Sequence, residues 1–146
     1  MDRAAAIVHG RRSHEGGPRA AKRKRLVVTR QVPATAADNS QPNALLWNPA
    51  GTSLEQALDT LGADAGPVAV IGGTDVVGLF LPLYDVFHLS RATRAKIPGG
   101  QPLFPAVSLT VAVEDVLMRH GLLPSSTRDL DAAAGITLTD FKRTQP

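Results

Sequence analysis

The stretch VAVIGGTDVVGLFLPLYDVFHLSR, residues 68–91, decides the fold. With Pro67 ahead of it, the run 67–71 is apolar without a break and bounded by turn residues. That pattern predicts a strand buried on both faces, in the middle of a sheet with helices above and below. Gly72-Gly73-Thr74-Asp75 then turns the chain, VVGLFL reads as a short helix, Pro82 follows, and residues 84–91 alternate well enough for a second strand. A glycine pair lets another group approach the backbone closely. The helix start beyond it offers unpaired N–H groups and a partial positive charge, which suit a pyrophosphate. Spacing alone favours the plainer account, a tight turn that needs glycine, since the pattern is neither GxGxxG nor a P-loop.

Upstream, Thr52-Ser53-Leu54-Glu55 matches a capping box, with Thr52 as N-cap and Glu55 three places later. Leu54, Ala57, Leu58 and Leu61 follow on one helical face, and Gly62 is a natural stop. RLVVTR, residues 25–30, reads as a buried strand, and AAAIV near the start fits a short strand or a helix turn. Between them the chain reads as a turn, a short helix beginning near Ser13, and a loop. Residues 31–51 are mostly connection, with Ala44-Leu45-Leu46-Trp47 as a strand and Trp47 as a packing anchor. Downstream, 98–105 is a loop, 113–121 a helix stopped by Gly121, and 135–143 a terminal strand. This order predicts an α/β architecture in one domain, 1–146. Its central sheet is mostly parallel and flanked by helices, with an antiparallel C-terminal edge strand.

The 146 residues are 43% hydrophobic, enough for a core. The lack of cysteine excludes disulfides, zinc-thiolate sites and thiol nucleophiles. No apolar run approaches the roughly 18 residues that span a bilayer, and the first apolar patch precedes its arginines, the reverse of a signal peptide. A cytoplasmic protein with no membrane partner is expected. The net charge of +3 is concentrated early: Arg3, Arg11, Arg12, Arg19, Lys22, Arg23, Lys24, Arg25 and Arg30 face only Asp2 and Glu15. Such an end suits a phosphate-bearing cofactor, a nucleic acid or an acidic surface, and serves equally as a solvated face. Gly10-Arg11-Arg12-Ser13 and Thr29-Arg30 each carry a hydroxyl and a guanidinium. At the ends of neighbouring strands they could converge on one phosphate. His9, His14, His88 and His120 lack metal-ligand spacing, Asp129 and Asp131 read as a solvated loop pair or local cap, and no GxSxG appears, so no metal site is expected.

Taken together, these segments resemble the dihydrofolate reductase family. HGRRSHEG resembles its cofactor segment of Gly-Arg, a basic residue and a Ser or Thr. RLVVTRQV resembles the strand that follows, residues 68–91 the central strand with its Gly-Gly turn, and IPGGQPLFP the later loop ending in FP. The likeness covers residues 8–105 and, more loosely, the C-terminal strand. It implies an oxidoreductase with NADPH as hydride donor, reducing 7,8-dihydrofolate to tetrahydrofolate, with a small-molecule substrate and no nucleic acid. By position it puts Arg11 and Arg12 near the adenosine 2′-phosphate and the pyrophosphate, Ser13 at the phosphate bridge, and Thr29, Arg30 and Gln31 at the adenosine end. Gly72, Gly73 and Thr74, continuing into Asp75, Val76 and Val77, would cradle the pyrophosphate, with a cis Gly-Gly bond. Ser90 matches the hydroxyl near the pterin, and Arg23 the arginine that grips the folate carboxylate.

The family begins with a strand, a mobile loop and a helix that supply a carboxylate for the pterin. Only nine residues precede Gly10 here, so the chain is expected to be short at its N-terminus, and no catalytic residue is assigned. Val77 stands where the family usually has an aromatic residue. Riboflavin-pathway pyrimidine reductases share the fold and are the nearest confusion. The second hypothesis is a non-catalytic NADP(H)- or phosphate-binding remnant, and a nucleic-acid module, lacking aromatic interleaving, comes last.

Overall fold

The computed structural model describes residues 3–13 and 22–144. The helix expected beyond Ser13, together with His14, Glu15 and Arg19, lies outside the described residues. The fold is α/β. In chain order the elements are β1 (Ala6–Gly10), β2 (Arg25–Val28), β3 (Thr35–Ala37), β4 (Ala44–Trp47), α1 (Leu54–Thr60), β5 (Val68–Gly72), α2 (Thr74–Leu79), β6 (Val86–Ala92), α3 (Val113–Arg119), β7 (Leu122–Asp131) and β8 (Ile136–Arg143). They fall into two compact units, residues 1–77 and 78–146. Among the described residues no helix is long and apolar enough to cross a membrane.

The first unit holds a five-stranded sheet in the order β3-β4-β2-β1-β5. Pairings β1–β2, β1–β5 and β2–β4 are parallel, and only β3–β4 is antiparallel. The short AAAIV run thus resolves as part of a strand. Flanked on both sides, β1 buries Ile7 and Val8 to 1% and 0% exposure. The run 67–71 is a strand, as its pattern predicts, but it stands at the end of this sheet rather than in its middle. Val68, Ala69, Val70 and Ile71 are correspondingly only half-buried. A continuous apolar run reports what a strand must bury, not its place in the strand order. Trp47 is a packing anchor, buried, with its indole N–H donating to Thr52 O at 3.0 Å. The capping box lies one residue further along than the sequence pattern places it, with Ser53 as the N-cap of α1 and Gln56 as its partner: Ser53 O accepts from Ala57 N at 3.1 Å, and Ser53 Oγ accepts from Gln56 N at 3.3 Å.

The second unit holds an antiparallel sheet in the order β6-β8-β7. The C-terminal strand is antiparallel, as expected, but it occupies the middle of this sheet and not an edge. The outer strand β7 carries a weak sequence signal. Of its ten residues only Leu122 is buried, and pairing with β8 is backbone-led, with Thr127 and Thr139 hydroxyls 3.0 Å apart across it. Asp129 and Asp131, read as loop residues, therefore lie on β7. Opposed Phe87 and Phe141 face the core with Leu89, Phe104, Leu117 and Leu122. α3 runs where its periodicity predicts, packs on β7 and stops before Gly121, whose φ is +75°.

On the opposite sheet face Asp140 gathers His88 Nδ1 at 2.7 Å, Ser126 Oγ at 3.3 Å and Arg128 Nη1 at 3.4 Å. The His88 hydrogen bond chiefly holds this carboxyl below its ordinary value of 3.8. Burial opposes the shift, while the His88 and Arg128 charges and the Ser126 hydroxyl assist it. A depressed folded-state pKa contributes stability that is complete above the unfolded value and lost as pH falls through the folded one. Asp140→Asn is therefore expected to melt below the parent chain at neutral pH, with the gap closing as thermal melts are taken progressively below pH 3.8.

Candidate functional site

Parallel strands β2, β1 and β5 lie side by side and deliver their C-terminal ends together. Open α/β sheets place ligands at such ends. β1 finishes at Gly10, and Ser13 N donates to Gly10 O at 2.9 Å, folding Arg11 and Arg12 into a tight turn. β5 finishes at Gly72, and the Gly72–Gly73 peptide is cis. The two ends are in contact. A methyl group added at Gly10 would stand 3.8 Å from Gly73 N, 3.9 Å from Gly72 O and 3.3 Å from Val76 Cγ2. One added at Gly73 would stand 3.7 Å from Ser13 Oγ. Beyond β2, Thr29 is buried and its hydroxyl accepts from Gln31 N at 3.2 Å, turning Gln31 back so that Arg11 donates to its Oε1.

The structure thus brings Arg11, Arg12, Ser13, Thr29, Gln31, Gly72 and Gly73 to one end of one sheet. Arg30 is exposed on the same turn, and Thr74 and Asp75 begin α2. Val76 and Val77 are buried, and Val76 wedges beside Gly10, which gives both a packing role in holding the turn. α2 is only six residues long, so its dipole is small, and the positive charge here comes from arginines rather than from a helix terminus. Arg23 precedes β2 and so lies at the opposite end of that strand from Thr29. Ser90 belongs to the second unit, exposed on β6 across from Leu138. Among the described residues no cluster of His, Asp and Glu could hold a metal ion.

A cleft of about 400 Å³ opens along the same sheet face. Arg11, Arg12 and Gln31 line it, and so does a group that motif reading passed over: His9, Arg25 and Gln41. Arg25 and His9 are each 2% exposed. Arg25 Nε donates to His9 Nε2 at 3.1 Å, its Nη2 lies 3.0 Å from the same nitrogen, and its Nη1 donates to Gln41 Oε1 at 3.2 Å. Guanidinium only donates, so His9 Nε2 is the acceptor and its proton belongs on Nδ1, which donates to Gly10 O at 2.9 Å. Asp38 also borders the cleft. Hydrogen bonds from the Ser40 hydroxyl and amide chiefly hold its carboxyl below the usual range, burial opposes, and the Arg25 charge assists. The sequence did hold a signal for Arg25: a charged residue two places before Val27 in an apolar strand must share that residue's face.

No protein-family model and no curated protein matches the chain. Solved structures do. A riboflavin biosynthesis protein from Shewanella sp. PV-4 superposes with a TM-score of 0.65 at 17% identity, over 99% of this chain and 77% of its own. A diaminohydroxyphosphoribosylaminopyrimidine deaminase/5-amino-6-(5-phosphoribosylamino)uracil reductase from Thermotoga maritima gives 0.60 at 15% identity, over 97% of this chain; the chain spans 46% of that protein. Dihydrofolate reductase from Enterococcus faecalis, solved with NADP(H) and RAB-propyl, gives 0.59 at 18% identity, over 99% and 77%.

Proposed function

We propose that this chain, whose fold is that of the dihydrofolate reductase family, binds NADPH across the C-terminal ends of β2, β1 and β5 and reduces 7,8-dihydrofolate to tetrahydrofolate. The contact of Gly10 and Ser13 with the Gly72–Gly73 turn carries the reading, because it joins the basic turn and the glycine turn around one position. The donor set suits phosphates. Arg11 and Arg12 supply forked charged donors, Ser13 a hydroxyl, and exposed Gly73 a backbone surface that ordinary side chains would cover. Gln31, turned back by Thr29, fixes the Arg11 guanidinium so that less side-chain freedom is lost on binding. When bound, NADPH supplies the hydride. On the substrate side Ser90 and Arg23 are assigned by resemblance.

The second reading is a riboflavin-pathway pyrimidine reductase. The two riboflavin-related neighbours superpose at 0.65 and 0.60, against 0.59 for the dihydrofolate reductase. Both readings share the cofactor site and part at the substrate. Saturable binding of NADPH in preference to NADH is the expected result, and failure to bind NADPH sinks both. Loss of NADPH absorbance with dihydrofolate, and not with a ribosylated aminopyrimidine, selects the first; the reverse selects the second. Binding without turnover of either identifies a remnant. Gly73→Ala is expected to weaken NADPH about tenfold while the melting temperature stays close to the parent's, because the added methyl meets only Ser13 Oγ at 3.7 Å.

A further inference from the structure

Among the described residues the buried polar side chains are His9, Arg25 and Thr29, and of these only His9 and Arg25 carry ionisable groups that matter near neutral pH. They bond to each other. Both ring nitrogens of His9 are engaged: Nδ1–H donates to Gly10 O at 2.9 Å, and Nε2 accepts from Arg25 Nε at 3.1 Å, with Arg25 Nη2 at 3.0 Å. Gln41 Oε1 accepts from Arg25 Nη1 at 3.2 Å. The imidazole thus accepts from a group that does not lose its proton. This arrangement exists in one charge state of His9 only. A proton on Nε2 would turn the acceptor into a donor aimed at the guanidinium. It would also place two cations 3.0 Å apart, away from water.

The charges around the pair do not relieve this conflict. The turn after β1 brings Arg11 and Arg12 to the cleft, two further cations. The segment after β3 brings Asp38, the one carboxylate on the lining, which is already held by Ser40 N at 2.9 Å and Ser40 Oγ at 2.6 Å. From β4 comes uncharged Leu46. β5 sets Gly72 opposite His9, and Asp75 on α2 is exposed. We infer that His9 and Arg25 form an acid-sensitive latch on the cleft: His9 takes a proton only as Arg25 leaves it, so acid unfastens the guanidinium of β2 from β1 beside the Arg11–Arg12 turn. The unfolded chain protonates His9 below about pH 6.5. The fold does so only by giving up the Arg25 bonds. The unfolded state therefore binds the extra proton, and the stability from this pair is complete above that pH and lost as pH falls below it. The unfolding constant rises by up to about tenfold per pH unit. Asp38 and Asp140 respond only below the ordinary carboxylate value of 3.8, which leaves the window above it to histidine.

The test uses the whole chain without ligand, at fixed ionic strength, from about pH 8 to about pH 5. Urea unfolding and the His9 ring and Arg25 Nε–H resonances are followed together. In the parent, the His9 ring is expected to stay neutral through the range where an ordinary imidazole titrates. Where it does take up a proton, the Arg25 resonance should move with the same midpoint. His9→Gln offers Arg25 an amide oxygen that cannot titrate. It should keep the Arg25 resonance in place and remove the acid slope, so that between the two ends of the range the parent's unfolding constant rises about tenfold or more over the variant's. His88 and His120 are common to both chains and cancel in that ratio. Arg25→Gln takes away the opposing cation, and His9 should then titrate in the folded chain near about pH 6.5. A parent His9 that already titrates there, with Arg25 unmoved, overturns the inference whatever the variants do. So does a His9→Gln chain as acid-sensitive as the parent. No cofactor enters these measurements. If NADPH fails to bind and the parent still shows the coupled behaviour, the dinucleotide reading falls and the latch stands. If NADPH binds and His9 titrates as an ordinary imidazole, the latch falls alone.

Discussion

Phe104→Ala is expected to lower the unfolding free energy by about 3–5 kcal/mol, measured as a shifted urea midpoint with an unchanged slope. Phe104 heads the largest fully buried side chains at 0% exposure. Its ring lies 5.4 Å from Phe87, which packs edge-on to Tyr84 at 5.3 Å, which in turn lies 6.4 Å from Phe80. Burial also raises the Tyr84 phenol well above its ordinary pKa, as an apolar cluster should. The chain leading to and from Phe104 buries little else: Ile97 is 84% exposed and Leu109 fully so. One ring therefore pins a long connection, and its loss both opens a cavity and releases the segment. Pro105 beside it leaves no slack, since a methyl at Gly78 would stand 3.0 Å from its Cδ. Phe104→Leu should recover much of the loss. A Phe104→Ala cost under about 1 kcal/mol would mean that the ring does not fill this core.

Gly51→Ala is expected to be at least as damaging, through overpacking. A methyl group there would stand 1.7 Å from Pro33 O, 2.7 Å from Pro33 C and 2.8 Å from Ala34 Cα. All three are backbone atoms, so no rotamer change relieves the clash. The two segments are stitched together by Asn48 N to Ala34 O at 2.7 Å and Asn48 Nδ2 to Val32 O at 2.9 Å. Separating them breaks those bonds as well. The cost should exceed the roughly 1–3 kcal/mol usual for an extra methylene in a packed core. Residues 29–31 lead directly into the displaced segment, so NADPH affinity should fall with stability. Gly99→Ala is the control: its methyl meets nothing within 4 Å, and it carries only the conformational cost of φ +72°.

What the sequence disclosed, and what it withheld, follows from how local each feature is. β2, β4 and β5 announce themselves because their side chains must leave water, and α1 because its cap and its apolar face are written within ten residues. The glycine turn between β5 and α2 is equally local. β3, spelled Thr-Ala-Ala, exists only because β4 offers it a partner. β7 exists only because β8 does. Neither carries an apolar pattern, so neither could be read without the pairing. Strand order is wholly non-local, which is why β5 reads as central and stands at an end. Within the candidate site, Arg11, Ser13 and the glycines are visible as motifs. Arg25 belongs to no motif: alternation with Val27 signals its buried face, but its partners, His9 sixteen residues away on β1 and Gln41 in the turn before β4, are set by the fold.

Arg143 has a consequence for synthesis. From the last strand its guanidinium reaches Tyr84 O at 2.8 Å and Leu81 O at 2.9 Å in the turn before β6, and His120 O at 2.8 Å at the end of α3, three carbonyls from two bends of the second unit. β8 is also the strand on which β6 and β7 both depend. On the ribosome, then, the five-stranded sheet has every strand in hand once residue 72 has emerged. The three-stranded sheet has to wait, its two outer strands unpaired and its bends unfastened, until translation has passed residue 143. Nascent chains halted shortly before that point should resist protease through the first sheet and be cut freely after it.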